Sequence, residues 1–143
     1  MTDATPPLPA PPPNDESLKI TALIGYGLFL VAFLNGVTAV IGVVLAYVMR
    51  GNAAGTVWES HFRNLIRVFW VSVIMMVVVI AIVVEGFGGF FYVASTNHEP
   101  APALAGLLFL LVPAVCLILL VFAVWYLYRT IRGLIRALES KAY

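Results

Sequence analysis

The sequence predicts an all-α, polytopic membrane helical bundle of four transmembrane helices, the first two short and paired as an N-terminal hairpin. Three observations carry that expectation. First, 62% of the 143 residues are hydrophobic and 10% are charged, against about 45–50% and about 25% in an ordinary soluble domain. Second, apolar residues gather in three blocks, at about 20–48, 65–84 and 103–128, each reaching the roughly 20 residues that cross a bilayer. Third, the first block would make a helix of roughly 43 Å against a hydrocarbon core of about 30 Å, and it contains Asn35-Gly36, a turn-favouring pair. The alternative is one continuous helix and three spans in all. Small residues at Ala22, Gly25, Ala32, Gly36, Ala39 and Ala46 favour that alternative, because their near three-four spacing would give one close-packing face.

Residues 1–17 come first. Six prolines among the first 13 residues cannot join helical or sheet ladders and favour extended polyproline II, which predicts a disordered tail. The segment lacks the basic and apolar regions of a secretory leader, so no cleavage is expected. The hairpin follows, with spans at about 18–34 and 37–50.

The stretch RGNAAGTVWESHFRNLIRVFW, residues 50–70, concentrates charge in a chain that has little. Thr56-Val57-Trp58-Glu59 fits a capping box, the Thr56 hydroxyl accepting from the Glu59 amide while the Glu59 carboxylate reaches back. From there an amphipathic lead-in at 56–67 feeds a span at 65–85. At 100° per residue, Glu59, Ser60, Arg63, Asn64 and Arg67 share one face, Trp58, Phe62, Leu65, Ile66 and Phe69 the opposite one, and His61 lies on the flank. The helix is expected on anionic headgroups, with Trp58, Glu59, His61, Arg63 and Arg67 as its contacts.

The connector EGFGGFFYVASTNHEPAP, residues 85–102, holds neither lysine nor arginine. A last span at 103–128, kinked at Pro113, leads into a basic amphipathic helix at 129–143. There Arg129, Arg132 and Arg136 face the headgroups, below an aromatic belt of Trp125, Tyr126 and Tyr128. Because the basic residues cluster at 50–67 and 129–141, the positive-inside rule puts those segments in the cytoplasm and the connector outside.

Several function classes are disfavoured. Glu59 and His61 project about 160° apart on one helix, so they form no carboxylate-histidine relay, and no serine or cysteine stands in a nucleophile context. An enzyme is not expected. His61 and His98 fall on opposite sides of the membrane and cannot share an ion, so neither metal nor cofactor is expected. The spans carry Asn35, Thr38, Ser72 and Cys116 but no chain of ionisable groups of the kind transport requires. Cys116, the single cysteine, is read as packing. Basic residues beside spans do not make a nucleic-acid face. The expected partners are anionic headgroups on the cytoplasmic side, and either a second copy or another membrane protein. Any specific contact is expected at His61 and Arg67.

The run GVTAVIGVVLAYVMRGNAAGTVWESHFRNLIRVFW resembles the signature of an uncharacterised family of small bacterial inner-membrane proteins. The matching residues are Gly36, Thr38, Gly42, Tyr47, Arg50, Gly55, Thr56, Trp58 to Arg63, Ile66, Arg67, Phe69 and Trp70. The ending WYLYRTIRGLIRALESKAY is similar through Trp125, Tyr128, Arg129, Gly133 and Tyr143. The chain departs from that pattern in an inserted Val57 and in Asn64-Leu65 where an aromatic-glutamine pair is usual. More distantly, the arrangement is similar to the Tic-type import-channel superfamily of chloroplasts. The resemblance implies a bacterial inner-membrane location and a four-helix layout, and raises channel or translocation activity as an alternative to a structural or accessory role.

Overall fold

The computed structural model describes residues 15–96 and 102–143 and consists of four helices: α1 (Asp15–Asn35), α2 (Val37–Asn52), α3 (Val57–Thr96) and α4 (Pro102–Leu138). Three of them, α1, α3 and α4, are long and apolar enough to cross a membrane. The protein is therefore a membrane-embedded helical bundle. At 16 residues, α2 is only about 24 Å long, shorter than a full span.

The first apolar block does fold back, and it does so at Gly36. That residue has φ 70°, a left-handed conformation that glycine adopts without a Cβ penalty. The turn satisfies its own polar groups. The Gly36 amide bonds the Ala32 carbonyl at 2.6 Å, Asn35 Oδ1 accepts from the Thr38 amide at 3.3 Å, and Thr38 Oγ1 donates across the hairpin to the Leu28 carbonyl at 2.9 Å. The small residues serve the hairpin rather than a continuous helix. Ala22, Ala32 and Ala46 are buried, and a Cβ on Gly42 would stand 2.9 Å from the Phe29 ring.

Three boundaries differ from the sequence reading. Helix α1 begins at Asp15, inside the stretch assigned to the tail; residues 1–14 lie outside the described residues. Helix α3 continues for 40 residues to Thr96, so Glu85 and the glycine-aromatic run belong to the helix and not to a connector. At 40 residues α3 is about 60 Å long, twice a hydrocarbon core of about 30 Å, so it extends well past a single span. Gly86 also admits a side chain of α4, since a Cβ there would collide with Leu111. The basic C-terminal segment is not a separate helix either. It prolongs α4, which runs without interruption through Pro113. Cys116 faces outward on that helix.

The core lies at one end of the bundle. Leu18, Tyr26, Phe29, Val43, Ala46, Trp58, Phe62, Leu65, Tyr126 and Ala137 are among its members, gathering α1, α2, the start of α3 and the end of α4. Beyond that end, α3 and α4 rise with little of their own chain around them. In each, 6% of the most apolar 18-residue stretch is buried, against 33% in α1.

Candidate functional site

The α2–α3 connector turns at Gly55, φ 76°, and presents the first turns of α3 to the core. The expected capping box is not formed. Thr56 Oγ1 donates to the Ala53 carbonyl at 2.7 Å, and the Glu59 carboxylate reaches past Thr56 to the Gly55 amide at 3.1 Å. Glu59 also pairs with Arg63 at 2.6 Å. That pair is solvent-facing, and such pairs contribute little to stability.

The buried stripe of α3 is Trp58, His61, Phe62, Leu65 and Val68, at steps of three and four. Trp58 is 4% exposed and His61 fully buried, so neither touches headgroups. The reason is that α1, α2, α4 and the last residues of the chain pack around this face of the start of α3. Asn64, placed by its angle on the polar face, is also buried.

These polar groups form one directional chain of hydrogen bonds. Arg129 Nε donates to Asn64 Oδ1 at 2.9 Å. Asn64 Nδ2 donates to Tyr26 Oη at 3.2 Å. Tyr26 Oη stands 3.2 Å from His61 Nδ1, and His61 Nε2 stands 2.8 Å from the Lys141 carbonyl. A carbonyl can only accept, so Nε2 carries the proton; in a neutral imidazole Nδ1 then accepts from the tyrosine. Every member has a partner of the right polarity, and the chain crosses α4, α3, α1, α3 again and the segment after α4.

The segment after α4 reaches His61 through a Schellman turn. The Ser140 amide bonds the Ala137 carbonyl at 3.1 Å and the Lys141 amide bonds the Arg136 carbonyl at 3.0 Å, with Ser140 at φ 54°. This is the geometry in which a left-handed residue ends a helix and reverses the chain. Tyr143 follows, its amide donating to Ser60 Oγ at 2.9 Å. Nearby, an ammonium hydrogen bond from Lys141 at 2.9 Å holds the Glu139 carboxyl below the ordinary carboxylate range, with the charge of Arg136 adding to it.

The arginines separate by role. Arg129 is locked: its guanidinium carbon lies 5.6 Å from the Trp125 ring centroid and 5.4 Å from that of Tyr143. Arg132 donates to Tyr128 Oη at 2.8 Å, and Arg136 to the Ala142 carbonyl at 3.2 Å. Arg63 and Arg67 are exposed on α3, and Arg67 has neither a hydrogen-bond nor a carboxylate partner among the described residues. Arg63, Arg67 and Arg129 border a cleft of about 180 Å³ together with Ser60, Asn64 and Tyr143.

Chemically, the arrangement offers guanidinium groups for an anion. Among the described residues, no three His, Cys, Asp or Glu side chains gather where they could hold an ion; His98 lies outside those residues. Sequence reasoning missed Tyr26, Asn64 and Tyr143. The signal for Asn64 was its position three residues after His61, on the edge of the buried stripe; for Tyr26, its place between two glycines.

Fold and site together define an all-helical membrane protein whose buried polar side chains, among the described residues, lie at one end of the bundle. No protein-family model matches the chain, and no curated protein or solved structure does. The functional reading therefore rests on the chain's own geometry.

Proposed function

We propose that the protein is a non-enzymatic integral component of the bacterial inner membrane that acts by helix packing, as a structural or accessory element of a membrane complex. One observation carries this reading: the most apolar stretches of α3 and α4 are almost bare of their own chain, whereas at the other end Arg129, Asn64, Tyr26 and His61 bond one another. A helix pair with unpartnered outer faces is suited to receive further helices through close packing. The start of α1, the α2–α3 connector and the end of α4 meet at one end of the bundle, where Asp15, Lys19, Gly55, Trp58 and Ser140 border one cleft. The basic residues near that end support a cytoplasmic placement for it. His61 supports a structural role, because both its ring nitrogens are engaged within the chain.

Single cysteines placed along α3 between Ile74 and Val84 in a Cys116→Ser background, crosslinked in native membranes, test the proposal. Discrete products at helical spacing are expected, their mass distinguishing a second copy from another protein. Absence of crosslinks at every position, or ion conductance by the purified protein in liposomes, would overturn it, the latter in favour of a channel or translocation component.

A further inference from the structure

The arginine cleft does not end at the arginines. On α3, Ser60, Asn64 and Arg67 continue at steps of four and three residues into Val71 and Met75. On α4, Arg129 continues into Trp125, Val121 and Ile118. The residues from Val71 and Met75 across to Leu117, Val121 and Trp125 border an apolar groove of about 490 Å³. The two clefts lie end to end along one seam between α3 and α4. Trp125 forms the join, with its ring beneath the Arg129 guanidinium at 5.6 Å. From Arg129 to Leu117 the seam runs for about 18 Å.

We propose that this seam is a binding site for one anionic glycerophospholipid, with the phosphate between Arg67 and Arg129 and one acyl chain along the apolar groove. The charge at the head end supports it. Glu59 pairs with Arg63 at 2.6 Å, whereas Arg67 and Arg129 have no carboxylate partner among the described residues. Arg129 spends its Nε on Asn64 and is held between two rings, so its remaining nitrogens present a fixed fork. Guanidinium forks match phosphate oxygens in pairs, and basic pockets between membrane helices are suited to anionic headgroups. Ser60 and Tyr143 also line the cleft.

The tail end supports a lipid rather than a soluble anion. The groove opens onto the bare surface of α3 and α4, where Leu117 and Val121 are 62% and 60% exposed, and it leads from the basic end of the bundle into the apolar spans. A free phosphate would fill only the head. This site stands whether or not the outer faces of the same helices pack against another protein.

The test uses the full chain purified in a neutral maltoside. Binding of dioleoyl phosphatidylglycerol, dioleoyl phosphatidylcholine and sn-glycerol 3-phosphate is measured by native mass spectrometry and by the shift in thermal midpoint. One phosphatidylglycerol should bind at least tenfold more tightly than phosphatidylcholine. Arg67→Gln, at an exposed and unpartnered position, should remove at least tenfold of that preference. Val121→Trp should fill the groove and weaken phosphatidylglycerol several-fold. Equal binding of the two lipids, or Arg67→Gln without effect, overturns the site. Glycerol phosphate binding as tightly as the lipid would assign the cleft to a soluble anion and refute the acyl-chain half of the proposal. The midpoint of each variant without lipid separates lost binding from lost folding.

Discussion

Replacing Tyr26 by phenylalanine probes the hydrogen-bond chain at its centre. The side chain is fully buried, and its hydroxyl serves both Asn64 and His61, at 3.2 Å each. Phenylalanine keeps the ring but orphans two groups, an amide hydrogen of Asn64 and the Nδ1 lone pair of His61. A buried polar group left without a partner costs about 1–3 kcal/mol. Two such groups give about 2–6 kcal/mol, since the bond from Arg129 satisfies Asn64 Oδ1 and not the orphaned amide hydrogen. Tyr126→Phe is the control. Its hydroxyl donates to the Phe29 carbonyl at 2.7 Å, and that carbonyl still accepts within α1, so only about 1 kcal/mol should be lost. The assay is reversible unfolding in mixed anionic and neutral micelles, followed by the fluorescence of the three tryptophans. Equal losses for the two variants, or a Tyr26→Phe loss under about 1 kcal/mol, would refute the reasoning.

Two further outcomes are expected. Gly133→Ala should destabilise by about 1–3 kcal/mol, because the new Cβ would collide with the Tyr26 ring, whereas Gly27→Ala, with open space around it, should be neutral or stabilising by up to about 1 kcal/mol; the same unfolding titration compares them. Ser140→Gly should stabilise by up to about 1 kcal/mol, since glycine occupies φ 54° without the strain a Cβ brings, and a lower midpoint would show that the Schellman turn does not close the chain over His61.

The hairpin was legible because a chemical punctuation mark, Asn35-Gly36, coincided with a block too long for one span. The small residues were legible as an interface but not as belonging to two helices, because spacing reports a face and not its partner. Asn64 was misplaced for a related reason. A wheel ranks side chains by polarity, and a polar side chain at the edge of the apolar face is drawn inward when a tyrosine and an arginine from other helices meet its amide. That meeting is tertiary, spanning 38 residues to Tyr26 and 65 to Arg129, and no local pattern encodes it. The run from Glu85 to Thr96 was misread because its glycines read as turn formers, whereas they continue α3 and Gly86 packs against Leu111 of α4. His98 and the remainder of the connector lie outside the described residues.

The length mismatch between the two halves of the chain divides its labour. Helices α1 and α2 are 21 and 16 residues long, whereas α3 and α4 are 40 and 37. All four share the basic end, so the hairpin tip stops beside the middle of the longer pair. There Gly36 borders a crevice with Phe33, Phe69, Met76 and Phe122. A tip set among such residues needs its polar groups satisfied internally, which Asn35 and Thr38 accomplish. Below the tip, all four helices and the last residues of the chain are tied by bonds that reach across the sequence, α2 through Tyr47 Oη, which accepts from Trp70 Nε1 at 2.9 Å. Above it, α3 and α4 have only each other. Substitutions below the tip should therefore act first on folding, and substitutions above it first on what the two long helices assemble with. The lipid seam passes from one region to the other, with its arginines in the locked half and its groove in the bare half, so a lipid seated there would couple the two.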